Sequence, residues 1–159
     1  MARKTWIDVA AGLALLAASG LGSPGCAQAQ TFEGAYLGVY GASIEANSLE
    51  AGGFGGYRFQ FGEDLYVGAE ADLLFPSGAT DYLAAGLGSL GYEVLPDTLV
   101  YGHAGFAFDS ADNEFWVAGA GVDHALSDGV SLRIGGDRYD DLSGPAIEWV
   151  AKAGVALRF

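Results

Sequence analysis

The sequence predicts an all-β protein, an eight-stranded antiparallel up-and-down transmembrane barrel preceded by a cleaved leader. Three observations carry that expectation. The stretch from Trp149 to Phe159 alternates with a period of two: Phe159, Leu157, Val155, Ala153, Ala151, Trp149 and Ile147 are apolar. Arg158, Ala156, Gly154, Lys152, Val150 and Glu148 fall between them. Successive side chains of a strand point to opposite faces, so one face is oily and the other holds every charge. Turn signals recur at near-regular spacing and cut the chain into strand-length pieces rich in glycine, β-branched and aromatic residues, without a helical apolar period. Every apolar run falls short of the roughly 20 residues that a spanning helix needs, so any crossing of a membrane has to be by strands.

The elements follow in order. Arg3 and Lys4 precede an apolar stretch from Val9 to Ala18, and Ala27-Gln28-Ala29 satisfies the small-x-small rule for cleavage. Residues 1–29 therefore read as a secretory signal peptide and residues 30–159 as one barrel domain. An amino-terminal membrane anchor is the competing reading, opposed by the short run and the glycine and proline after it. Cys26 is the only cysteine and lies in the removed segment, which leaves the mature chain without thiol or disulfide. Gly25 before it raises a lipoprotein reading, but Ser23 and Pro24 stand where a lipobox places leucine and a small residue.

Strands are expected at Ala35 to Ala42, Leu49 to Phe61, Leu65 to Phe75, Asp81 to Val94, Thr98 to Phe108, Glu114 to Ala125, Val130 to Tyr139 and Ile147 to Phe159. Phe61 to Asp64, Leu95 to Asp97 and Leu126 to Gly129 read as short hairpin turns. The stretches Ser43 to Ser48, Pro76 to Thr80, Asp109 to Asn113 and Asp140 to Ala146 read as slightly longer loops on the other side. Short turns alternating with longer loops place both termini on the periplasmic side, and closure removes edges that a membrane could not satisfy.

Alternation also assigns the faces. In the third strand Val67, Ala69, Ala71, Leu73 and Phe75 oppose Gly68, Glu70 and Asp72. In the sixth, Trp116, Ala118, Ala120 and Val122 oppose Val117, Gly119, Gly121 and Asp123. In the seventh, Val130, Leu132 and Ile134 oppose Ser131, Arg133 and Gly135. Charges land opposite the apolar set, and unpaired charges inside a narrow barrel are expensive, so they should pair with one another. The expected lumen cluster is Glu70, Asp72, Asp123, Arg133 and Lys152.

Four stretches carry a family resemblance: Ala51 to Phe59 (AGGFGGYRF), Tyr66 to Asp72 (YVGAEAD), Val117 to Asp128 (VAGAGVDHALSD) followed by Ser131 to Arg133, and the ending Leu157 to Phe159. In this order, behind a leader, they resemble the OmpA-like barrels and the short porin-family outer-membrane proteins of Proteobacteria, over essentially the whole mature chain. The resemblance implies residence in the outer membrane of a Gram-negative bacterium. It also implies that Phe159, with Leu157 and Val155, is the signal read by the barrel-assembly machinery. In OmpA-type barrels a buried glutamate, lysine, arginine and second glutamate form a salt-bridge cluster implied to gate the lumen. Glu70, Arg133 and Asp123 match three of these places, while the lysine place falls on Ser89. Two acids would then face one base, with Lys152 as a possible substitute. A plain packing network that fixes register is the reading favoured over a gate.

The formal charge of −13 has the wrong sign for nucleic acid or anionic lipid. Acidic residues group at Glu63-Asp64, Asp109 to Glu114 and Asp137 to Asp141, assigned to turns and loops. They read either as solvated loop ends or as points of divalent-cation association near the lipopolysaccharide surface. Only His103 and His124 are available as bases near neutral pH. His124 falls on the lipid face near a turn. His103 projects inward beside Tyr101, but no serine sits two residues away on that face and no acid-histidine-serine spacing is readable, so no enzyme is expected. Neither a Cys/His cluster for a transition metal nor a phosphate loop is present, and no cofactor is expected. The expected role is a small structural or surface barrel with a side-chain-filled lumen. The alternative is a narrow or gated channel for water, ions or very small solutes, since open pores need about sixteen strands. Adhesion is disfavoured by loops of roughly five to seven residues. The expected partners are outer-membrane lipid, lipopolysaccharide and the assembly machinery, with the protein a monomer.

Overall fold

The computed structural model describes residues 32–43, 49–76, 82–111, 113–142 and 147–159. The strands are β1 (Gly34–Ser43), β2 (Glu50–Gln60), β3 (Leu65–Phe75), β4 (Leu83–Leu95), β5 (Thr98–Asp109), β6 (Glu114–Ser127), β7 (Val130–Asp141) and β8 (Ile147–Arg158). Each pairs antiparallel with the next, and β8 returns to β1, with Tyr36 opposite Arg158 and Ser43 opposite Ala151. The result is a closed up-and-down barrel with no helix among the described residues. The segment assigned to the signal peptide, residues 1–29, lies outside them, as do residues 44–48, 77–81 and 143–146 of the longer connections.

Strand limits differ from the sequence expectation mainly at β6 and β7. The β6 strand runs on to Ser127, because a bulge between Ala125 and Ser127 absorbs one extra residue, Leu126, beside the turn. The β7 strand continues to Asp141, so Asp140 and Asp141 belong to the strand and not to the loop expected from Asp140. In the turn after β2, Gly62 has a φ of 93°, a left-handed conformation that favours glycine. There the Phe61 amide donates to the Leu65 carbonyl at 2.6 Å.

Alternation divides the barrel wall into two surfaces. Outside, Tyr57, Phe59, Phe61, Tyr92 and Phe159 are exposed near the short turns, and Phe75, Phe106, Phe108, Trp116 and Trp149 near the loops. Between these aromatic rims lie small outward residues in register. Gly55 pairs with Ala71 and Ala71 with Gly86. Gly88 pairs with Ala104 and Ala104 with Ala118, and one row runs from Gly102 through Ala120 and Gly136 to Ala151. The outside is thus an apolar band, broad at both rims and smooth at its waist, as a membrane-spanning wall requires.

Inside, rings lie over glycines of neighbouring strands. A Cβ at Gly121 would meet the Tyr101 hydroxyl at 2.5 Å, one at Gly38 would collide with the Phe54 ring, and Gly52 and Gly56 lie under Tyr40 and Tyr36. Eight strands enclose only enough space for side chains, and these glycines are where the aromatics fit. A small apolar group of Phe32, Tyr66 and Leu99, with Ala125 against it, fills the turn end of the lumen. Leu74, Ala42, Ala85, Ala107, Phe115, Val117 and Val150 belong to the larger buried cluster that also holds Tyr36, Tyr40 and Phe54.

Candidate functional site: the charged lumen

All five expected lumen residues point inward, but they divide into two groups. Around Arg133, its Nη1 donates to Glu70 Oε2 at 2.5 Å, its Nε to Asp123 Oδ1 at 2.8 Å and its Nη2 to Asp123 Oδ2 at 3.0 Å. The Tyr36 hydroxyl donates to Glu70 at 2.8 Å. The Arg133 guanidinium also lies over the Phe54 ring, 4.0 Å from its centroid. One planar fork on β7 therefore ties β3 to β6 across the barrel, geometry that a guanidinium supplies and an ammonium does not.

The second base of this group is Arg58 on β2, whose Nη1 donates to Asp123 Oδ2 at 2.7 Å. This corrects the expected shortage of two acids to one base. Arg58 is 3% exposed and its guanidinium sits over Tyr36 at 4.7 Å and Tyr101 at 5.1 Å. Its inward direction follows from Phe54, Gly56 and Arg58 alternating with outward Tyr57 and Phe59. That signal was in the sequence; its partner was not, because Asp123 lies 65 positions away. The position expected to hold a lysine, Ser89, lies beside Arg58: a Cβ at Gly68 would touch the Ser89 hydroxyl at 2.8 Å and Arg58 Cγ at 3.0 Å. A lysine there would crowd a base already present.

Lys152 does not join Glu70 or Asp123. Its Nζ reaches Asp72 Oδ2 at 2.7 Å, Asp137 Oδ2 at 2.6 Å and the Tyr139 hydroxyl at 3.2 Å. The Tyr40 hydroxyl donates to Asp72, and His103 Nε2 meets Asp137 Oδ1 at 2.7 Å. Asp137 is 2% exposed; the inward series Ser131, Arg133, Gly135 extends to it, and grouping it with Asp140 and Asp141 hid this. The His103 to Asp137 contact passes over β6 at Gly119, which is register partner to both. A Cβ at Gly119 would collide with the contacting atoms of both side chains. Glycine there is the condition for the bond.

The acid beside His103 was likewise not readable from linear spacing. Ser89 is the register partner of His103, but its hydroxyl lies against Gly68 on the opposite side, so serine, histidine and aspartate do not form a relay. His124 faces outward, its Nδ1 3.0 Å from Thr98 Oγ1. Val155, Leu157 and Phe159 also face outward and are exposed. Among the described residues, no cluster of three or more His, Cys, Asp or Glu side chains is arranged to hold a metal.

A cavity separates the two charged groups, with Glu70 and Arg133 on one side and Asp72, Asp137, Lys152 and His103 on the other. Its water-accessible volume is about 20 Å³, enough for about one water molecule. The rings of Tyr40, Phe54 and Tyr101 line it beside the charged groups.

No family model matches the chain, and no curated protein matches it. Solved structures do share the fold. The amino-terminal β-barrel domain of Pseudomonas aeruginosa OprF aligns at a TM-score of 0.62 and 18% identity, covering 83% of this chain and 100% of that domain. A de novo designed transmembrane β-barrel aligns at 0.60 and 17% identity, over 83% of this chain and 100% of the design. Yersinia pestis outer membrane protein Ail, in a phospholipid bilayer nanodisc, aligns at 0.55 and 12% identity, over 80% of this chain and 100% of that one. At these identities the likeness is one of fold: an eight-stranded transmembrane barrel.

Proposed function

We propose that this chain is a small integral outer-membrane protein of a Gram-negative bacterium, of the OmpA-like, short porin-family kind, with a structural or surface role in the envelope. The observation that carries the reading is the filled lumen. Arg58, Arg133, Glu70 and Asp123 form one cross-braced layer and Lys152, Asp72, Asp137 and His103 another. The space between them has room for about one water. Buried ion pairs add little net stability over apolar packing, but removing one partner is costly, so such layers fix which strands meet. The exposed aromatic rims support insertion in a membrane. The leader-like residues 1–29 and the outward Val155, Leu157 and Phe159 support export and recognition by the barrel-assembly machinery. Outer-membrane lipid and lipopolysaccharide are the partners this surface meets, and the protein acts as a monomer without catalytic activity.

Single-channel recording of the refolded chain in planar bilayers tests the reading. A quiet membrane is expected. Steady open steps would overturn it in favour of a narrow channel, with the cavity between the two layers as the point where they part.

A further inference from the structure

We propose that the turn end of the lumen binds a small anion between the guanidinium groups of Arg58 and Arg158. The two arginines flank β1: Arg58 is register partner to Gly34, and Arg158 to Tyr36. Arg58 lies over the Tyr36 ring, and Arg158 lies over Phe32, 5.1 Å from the centroid. Between those two rings β1 carries Gly34, so no side chain of that strand separates the two cations; the Phe159 carbonyl oxygen lies 2.7 Å from where a Cβ would stand.

Both have N–H groups left over. Arg58 Nη2, Arg158 Nε and Arg158 Nη1 are buried and have no hydrogen-bond partner. Nearly all buried polar groups are paired, and an orphan costs its full desolvation, so three together call for an acceptor. The neighbouring carboxylate has none to spare. Asp123 Oδ1 takes Arg133 Nε, and Oδ2 takes both Arg58 Nη1 and Arg133 Nη2. Two acids and two bases make that layer neutral, and Arg158 stands within the field of Asp123, Asp128 and Asp97 with no carboxylate of the described residues in contact. Among the described residues Arg158 forms no ion pair; its Nη2 donates to the Ser127 carbonyl at 2.8 Å. A ring beneath a guanidinium offsets part of its charge but takes none of the in-plane N–H bonds. A small anion supplies the acceptor that these N–H groups lack. Phe32, Tyr66 and Leu99 pack together at this end of the lumen.

The test uses the mature chain refolded in detergent, with the unfolding midpoint in urea read by tryptophan fluorescence. Sodium chloride is exchanged for sodium gluconate at constant ionic strength, so that bulk screening is unchanged. A ligand that binds the folded state alone raises the midpoint with its concentration. The midpoint should therefore climb with chloride, and Arg158→Gln should abolish the climb while Arg138→Gln, on the outer surface, should keep it. A midpoint indifferent to the anion would overturn the proposal, pointing to a water that bridges Arg58 to the orphaned Oε1 of Gln60. Equal chloride dependence in wild type and Arg158→Gln would overturn it too. If Arg158→Gln does not fold, bromide-soaked crystals of the wild type decide. An anomalous peak touching both guanidiniums supports the site, and its absence refutes it.

Discussion

Replacing Arg133 with alanine should cost about 3 to 5 kcal/mol, the range for stripping one partner from a buried ion pair. The structure says where that cost falls. Asp123 would keep Arg58 at 2.7 Å, whereas Glu70 would keep only the Tyr36 hydroxyl, a neutral donor for a full charge. Glu70→Gln, added to Arg133→Ala, should therefore recover about 1 to 2 kcal/mol, within the usual coupling of contacting residues. Asp123→Asn should recover less, and by freeing Arg58 it could deepen the loss. The gap left among Phe54, Tyr36 and Tyr101 remains in every variant, so it cancels from the comparison. Urea unfolding of the refolded barrel, followed by tryptophan fluorescence and by the mobility of unboiled samples on gels, measures all corners of the cycle. Simple additivity of Arg133 with Glu70, or a larger rescue by Asp123→Asn, would refute the assignment of the lone charge to Glu70. Ser89→Lys adds a further sign test. It should destabilise the wild type, whose layer is already neutral, yet restore part of the loss in Arg133→Ala.

Gly119→Ala should cost about 1 to 3 kcal/mol, as overpacking does, because its Cβ occupies the path from His103 to Asp137; an unchanged urea midpoint would contradict that path. Ala120→Arg, on the outer waist, should cost about 2 to 4 kcal/mol in lipid, and Ala120→Leu should be tolerated; equal costs in the same vesicle assay would argue against a lipid-facing Ala120. Deleting Phe159 or replacing it with aspartate should lower the amount recovered in outer-membrane fractions while leader cleavage continues, and wild-type amounts of both variants would remove the proposed assembly role.

Direction was legible in the sequence; pairing was not. Where small and large, or apolar and charged, residues alternate without interruption, as in Val67 to Phe75 or Trp116 to Asp123, parity alone assigns the face. Asp137 falls inside the expected strand, yet its place in an acidic run draws attention away from the inward series that passes through it. Arg58 escaped notice because its neighbours Tyr57 and Phe59 define the pattern and it merely fills the gap. Which inward groups touch depends on how the tilted strands close, and that brings β2 to β6 and β3 to β7 across the lumen. No local pattern encodes those distances. The division of the charges into two layers, with Lys152 committed to Asp72 and Asp137, is therefore a property of closure.

The seam between β1 and β8 has a kinetic meaning. Seven of the pairings join neighbours in sequence and can zip from a hairpin, but Tyr36 meets Arg158 only when nearly the whole described chain has been traversed. Closing so long a loop carries an entropic cost of about 4 kcal/mol on the logarithmic scale of chain closure, and it falls on one step. Local hairpins should form early and the seam last, with the slow phase set by contact order. Until then both edge strands are open and adhesive. The last strand thus acts as a latch: its arrival converts a curling, aggregation-prone ribbon into a surface with no edge to offer another chain.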